Sequence, residues 1–250
     1  MPFDIRDLST IESTLANLSK LIFVHGFNVS FEDAARRTAQ LAHALDFRGV
    51  AFYSWPSRGH ALAYTWDEES ARWTVPHLQD FLGRLARDAK LDTLHVVAHS
   101  MGNRCLTEAL HKGADLGKCR VGQCVLAAPD IDAEGFRRDA APPVLRLAER
   151  VTLYASSRDR ALLLSKGVHR YPRAGDADPG IIVLKGMDSV DASLLETDML
   201  GHSYYGDGSH LVNDLRLLLN EGTPVAHRSG MRYVPVTPVL GFWEFNPPLR

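Results

Sequence analysis

Short apolar runs rich in β-branched residues recur along the chain at 21–25 (LIFVH), 49–55 (GVAFYSW), 94–98 (LHVVA), 122–128 (GQCVLAA), 151–155 (VTLYA) and 181–185 (IIVLK). Runs this short and this continuous are the mark of strands buried on both faces. Between them the apolar positions switch to helical spacing, over 30–45, 67–91, 101–112, 157–166 and 211–219. In the first of these, Ala35, Ala39, Ala42 and Leu45 share one face, and Ser30 with Asp33 has the spacing of a capping box. Strand and helix therefore alternate, which predicts an α/β fold: a mostly parallel sheet of about six strands, right-handed crossovers and helices on both faces.

Two segments break the rhythm. Residues 132–146 are mixed in character and contain adjacent prolines, Pro142 and Pro143. They read as a small cap or lid instead of a regular crossover. The Pro-rich tail from 231 onward is expected to lie extended over the body. At 250 residues the chain suits one domain spanning 1–250.

Composition narrows the class of partner. Hydrophobic residues make up 45% and charged residues 23%, the balance of a soluble globular protein. A formal net charge of -2 supplies no electrostatic footprint for nucleic acid or for an anionic membrane surface. No run approaches transmembrane length, so no stable membrane association is expected. The three cysteines form no C-x-x-C pair, and the N-terminus has neither a basic nor an apolar leader region, which together point to the cytoplasm. No spacing of His, Cys, Asp or Glu suggests a metal, and no phosphate loop or dinucleotide fingerprint is present. Neither a metal nor a cofactor is expected.

The stretch that carries chemistry is LHVVAHSMG, residues 94–102. A buried strand runs into a small-x-Ser-x-Gly turn and straight on into a helix, the pattern of a nucleophile elbow with Ser100 at its tip. Ala98 and Gly102, two residues before and after the serine, are small enough for strand and helix to approach each other. A helix starting just past Ser100 aims backbone N–H groups and the positive end of its dipole at the place where an oxyanion forms.

VHGFN at 24–28 and AHSMGNR at 98–104 resemble the α/β-hydrolase superfamily, and most of all an uncharacterised bacterial α/β-hydrolase family related to esterases and lipases. Two departures stand out: Ala98 replaces the commoner glycine, and the short N-terminus leaves no room for the superfamily's first two strands. The resemblance implies a serine hydrolase, a carboxylesterase acting on a small-molecule ester through an acyl-enzyme. It implies an oxyanion hole from the N–H groups of Phe27 and Met101, with Gly26 permitting the close approach. It also implies the chain order Ser, acid, His, with the histidine on a loop after the last strand.

His202 fits that place, with His210 in reserve. Asp159, just past the strand at 151–155, fits the acid position, and Asp130 and Asp132, one strand earlier, are its rivals. Asn28, Trp55 and Tyr204 are candidates to line the substrate site. His99, next to the serine along the elbow, cannot turn its ring to the tip without distortion and is expected to pack or hydrogen-bond nearby, and Asn103 and Arg104, in the helix that follows, are expected to brace the fold. A lipase, thioesterase or peptidase would use the same triad, and a catalytically silent fold would serve as an interaction module.

Overall fold

The computed structural model describes residues 20–159, 162, 165, 171–195 and 209–246. Strand β1 (Lys20–Val24) is buried along its whole length because LIFV is apolar on both faces. It leads through a loop into α1 (Phe31–Leu45), then β2 (Val50–Tyr53), α2 (Tyr64–Trp73), α3 (Val75–Asp88) and β3 (Thr93–His99). After the turn at Ser100 come α4 (Gly102–His111), β4 (Arg120–Ala127), α5 (Ala141–Leu147) and β5 (Ala148–Ala155). Strand β6 (Met187–Asp191), α6 (Ser209–Glu221) and the hairpin β7 (Met231–Pro235) and β8 (Gly241–Phe245) complete the described chain.

The sheet has eight strands in the order β2-β1-β3-β4-β5-β6-β8-β7. All neighbouring pairs are parallel except β7 with β8. Helices α2 to α5 cover one face through residues such as Leu78, Leu82, Leu106 and Val144. Helices α1 and α6 cover the other through Leu41, Leu45, Leu215 and Leu218. The chain leaves β1 for β2 on one side and returns to β3 on the other, so the order reverses between β1 and β3. In open α/β sheets ligands bind outside the carboxyl ends of the strands at such a reversal.

Several expected elements differ in detail. The helix expected at 67–91 is two helices that meet at Thr74, with Pro76 in the first turn of α3. A proline has no N–H to give to the preceding turn, so the ladder restarts there. The buried face of α1 is Ala34, Thr38, Leu41 and Leu45, shifted from the expected alanines. Thr38 is tolerated inside because its hydroxyl donates to the Ala34 carbonyl at 2.7 Å. The capping pair is present: the Asp33 N–H donates to Ser30 Oγ at 3.1 Å.

The last apolar run, 181–185, is not a strand. Ile181 and Ile182 are buried in an irregular segment, and the strand is the more polar Met187–Asp191 that follows. Ser189 of that strand is anchored by donating its hydroxyl to the Ile182 carbonyl at 2.6 Å. The tail, expected as an extended strap, instead adds β8 and β7 to the sheet edge beyond β6. Residues 132–146, read as a cap, carry the chain from β4 to β5 as a crossover. They form a helical turn at Ala133–Gly135, a π-helical turn over Phe136–Ala140 and then α5. Phe136, Ala141 and Val144 face the core, and the prolines sit at the start of α5, where a missing N–H costs little.

Candidate active site

Three non-glycine residues with positive φ stand at the ends of adjacent strands: Asn28 (φ 57) after β1, Ser100 (φ 48) after β3 and Ala128 (φ 43) after β4. Residues in this region cost on the order of 1–3 kcal/mol each and persist only where their surroundings over-determine them. At Ser100 the surroundings do so. Its N–H donates to the Ala127 carbonyl at 2.9 Å, and its carbonyl accepts from Asp130 N–H at 3.2 Å and Asn103 N–H at 3.1 Å.

Close packing around the elbow depends on two glycines. A Cβ on Gly102 would run into the carbonyl oxygens of Val24 and His25, so only glycine lets α4 start against β1. A Cβ on Gly26 would stand 3.0 Å from the Ser100 Cβ and 2.9 Å from His99 Nδ1. The loop after β1 thus rests directly on the serine. This contact helps explain why Ser100 is only 1% exposed. Ser100 Oγ has no hydrogen-bond partner among the described residues.

The loop that follows β1 is stiffened by His25 and Trp55. His25 is fully buried, its Nδ1 lies 2.9 Å from the Gly26 carbonyl and its Nε2 lies 3.3 Å from Ser54 Oγ. Burial pushes its pKa down to about 4, so the ring is neutral at pH 7. A neutral ring facing a carbonyl carries its proton on Nδ1, leaving Nε2 to accept from the Ser54 hydroxyl. Trp55, a candidate to line the substrate site, is 1% exposed and braces this loop. Its indole N–H donates to the His25 carbonyl at 2.7 Å, and its ring stacks on His25 with centroids 5.1 Å apart. Phe27 next in line is half-buried and meets the Tyr64 ring edge-on at 5.2 Å. Asn28 is exposed in the left-handed conformation that asparagine tolerates well.

Of the acids, Asp159 is buried just past β5. One of its oxygens accepts from the Leu162 N–H at 3.0 Å, and the other lies 4.0 Å from His99 Nε2. Asp130 is committed elsewhere. Its carboxylate accepts from the Tyr64 hydroxyl at 2.6 Å and the Ser165 hydroxyl at 2.5 Å, with Arg173 at 3.3 Å and Arg104 at 3.4 Å. Arg104 also donates to the Asp130 carbonyl and to Glu68. Burial, reinforced by the charge of Asp130, pushes the Tyr64 phenol up. Asp132 caps the next helical turn by accepting from the Gly135 N–H at 2.8 Å. His202 and Tyr204 lie outside the described residues, and His210 is exposed in the first turn of α6.

Two cavities are present, and among the described residues Ser100 lines neither. One of 880 Å³ runs beside α4 and is lined by Glu68, Arg104, Ile131, Asp132, Tyr171 and Arg173 among others. The other, of 360 Å³, lies between Phe31, Tyr53, Trp55, Trp73 and Thr74. Tyr64 carries no sequence signal, because its partners Asp130 and Ser165 lie 66 and 101 positions away in the chain. Among the described residues no group of three or more His, Cys, Asp or Glu is placed to hold a metal ion. No described helix is long and apolar enough to cross a membrane.

A parallel sheet that reverses beside its serine elbow, with helices on both faces and a glycine loop pressed against the serine, defines an α/β-hydrolase. The chain belongs to the family described as alpha/beta hydrolase of unknown function (DUF900), whose model matches residues 9–220. Comparison with curated proteins finds no match. Among solved structures, the chain is similar to a Pyrobaculum calidifontis esterase at 12% identity, covering 82% of this chain and 76% of that one, with a TM-score of 0.48. It is also similar to TT1662 from Thermus thermophilus at 14% identity, covering 82% and 89%, with a TM-score of 0.47.

Proposed function

We propose that this α/β-hydrolase is a serine hydrolase, a carboxylesterase that cleaves short- to medium-chain esters through an acyl-enzyme. The observation that carries the reading is Ser100 itself. It is held at φ 48 on a strand-to-helix turn, at the reversal point of the sheet, with the β1 loop packed on its Cβ.

In this reading Ser100 Oγ attacks the ester carbonyl while His202 takes its proton. The N–H groups of Phe27 and Met101 hold the oxyanion of the tetrahedral intermediate. As the intermediate collapses, His202 returns the proton to the departing alcohol, and water then attacks the acyl-enzyme with His202 again as base. Asp159 orients the imidazole and stabilises its charged form. Asp159 suits this role better than Asp130, whose oxygens are taken by two hydroxyls and face two guanidinium groups. The preference for shorter acyl chains follows from the crossover surface. Glu134, Arg137, Arg138 and Asp139 are exposed there and ion-paired, a poor face for docking on lipid.

A fluorophosphonate probe together with p-nitrophenyl esters from acetate to palmitate, run beside thioesters and peptides, tests the proposal. The expected result is one labelled site, lost with all esterase activity in Ser100→Ala, and faster turnover of butyrate than of palmitate. Labelling that persists in the alanine variant removes Ser100 as nucleophile. Preference for palmitate with activation at a lipid interface makes the protein a lipase.

A further inference from the structure

We propose that Asn103, three residues past the serine, is a positioning residue that sets both the nucleophile and one oxyanion donor. The inference rests on the reading of Ser100 as nucleophile. The Asn103 side chain is fully buried. Its Nδ2 lies 3.2 Å from the Ala98 carbonyl, 3.1 Å from that of Ser100 and 3.1 Å from that of Ala127. These three carbonyls come from the end of β3, the elbow and the end of β4, where the parallel ladder between the two strands runs out. An amide nitrogen carries two hydrogens, so one of them is shared between two acceptors.

The Ser100 carbonyl is the common target. It receives the Asn103 amide, the Asn103 backbone N–H and, from the β4 side, the Asp130 N–H. A peptide group is planar and trans, so its C=O and the following N–H point in opposite directions. The plane that contains the Ser100 carbonyl is the one that contains the Met101 N–H. Donors gathered on that carbonyl from within the fold therefore aim the Met101 N–H outward, to the side where the oxyanion would form. The same bonds oppose relaxation of Ser100 out of its positive φ, which would swing Oγ away.

The amide is present for its donors. Asn103 Oδ1 has no hydrogen-bond partner among the described residues, while the nitrogen end meets three oxygens. Asn103→Leu keeps the volume and removes the donors. Asn103→Ser restores one, because a helical serine hydroxyl reaches back to carbonyls three or four residues earlier. Thr107 makes that bond to the Asn103 carbonyl at 2.8 Å in the same helix.

The test measures kcat, KM and the rate of fluorophosphonate labelling for wild type and both variants, at a temperature where circular dichroism shows each folded. Removing an oxyanion donor outright costs about 10²–10³ in kcat, and a misaimed donor is a part of that. Asn103→Leu is expected to lower kcat and the labelling rate together by about 10- to 100-fold, with KM within about threefold of wild type. Asn103→Ser is expected to recover part of both rates. Wild-type rates in folded Asn103→Leu, with only a lower Tm, make the residue purely structural and overturn the proposal. So does an Asn103→Ser variant no faster than Asn103→Leu. Wild type that fails to react with the probe overturns the Ser100 reading itself, which separates the two failures.

Discussion

Replacing Asp130 by asparagine tests how the two aspartates divide their work. The Asp130 carboxylate is 1% exposed and faces Arg173, itself 5% exposed, at 3.3 Å and Arg104 at 3.4 Å. Arg104 keeps Glu68 as a second anion when Asp130 is neutralised. Arg173 has no other ion pair among the described residues, so Asp130→Asn leaves a buried guanidinium without its counter-charge. Breaking a buried pair from one side costs about 3–5 kcal/mol, because the remaining charge stays desolvated. The hydroxyls of Tyr64 and Ser165 also exchange an ionised acceptor for a neutral amide. For a chain of this size each kcal/mol moves Tm by about 2–4 °C, so the expected fall is roughly 6–20 °C. A turn or cap hydrogen bond alone would be worth on the order of 1 kcal/mol or less. Thermal unfolding followed by circular dichroism, with ester turnover measured well below Tm, reads both quantities. A variant that melts within a degree of wild type refutes the buried-network argument. A kcat loss near 10⁴-fold with Tm retained would make Asp130 the triad acid.

Asp159→Asn, in contrast, is expected to lower kcat by up to about 10⁴-fold while leaving the protein folded, the scale seen when a triad imidazole is held in the wrong tautomer. Activity close to wild type in that variant would move the acid role elsewhere. His25 makes stability depend on pH. Its pKa is about 4 in the folded state against an ordinary 6.5, so the unfolded chain binds the proton first as pH falls. The full contribution is present above pH 6.5 and is lost toward pH 4, a difference of about 3 kcal/mol at 1.36 kcal/mol per pH unit. Urea midpoints across that range, with the His25 ring followed by NMR, check it, and a titration midpoint near 6.5 contradicts it. Gly102→Ala forces its methyl into the Val24 and His25 carbonyls and is expected to cost about 1–3 kcal/mol or more. A melting point equal to wild type would show that α4 shifts freely, against the packing described.

The central part of this fold was legible because its determinants are local. Strands β1 to β5 announce themselves as short apolar runs, and the elbow is a contiguous strand, serine turn and helix whose small residues flank the serine. The family pattern of VHGFN and AHSMGNR lies in the same two stretches. The polar strand β6 and the hairpin of β7 and β8 were not legible. Their pairing is decided by neighbours: Val190 and Asp191 of β6 lie beside Trp243 and Glu244 of β8, and no periodicity within either segment records that. The bracing of the β1 loop by Trp55 was not legible either, because its stacking on His25 and its indole bond to the His25 carbonyl join residues 30 positions apart. Asp130 and Asp159 look alike in sequence, each just past a strand. Their difference arises because the fold brings Tyr64, Arg104, Ser165 and Arg173 around one of them, and a residue's charge partners in three dimensions are set by the whole topology.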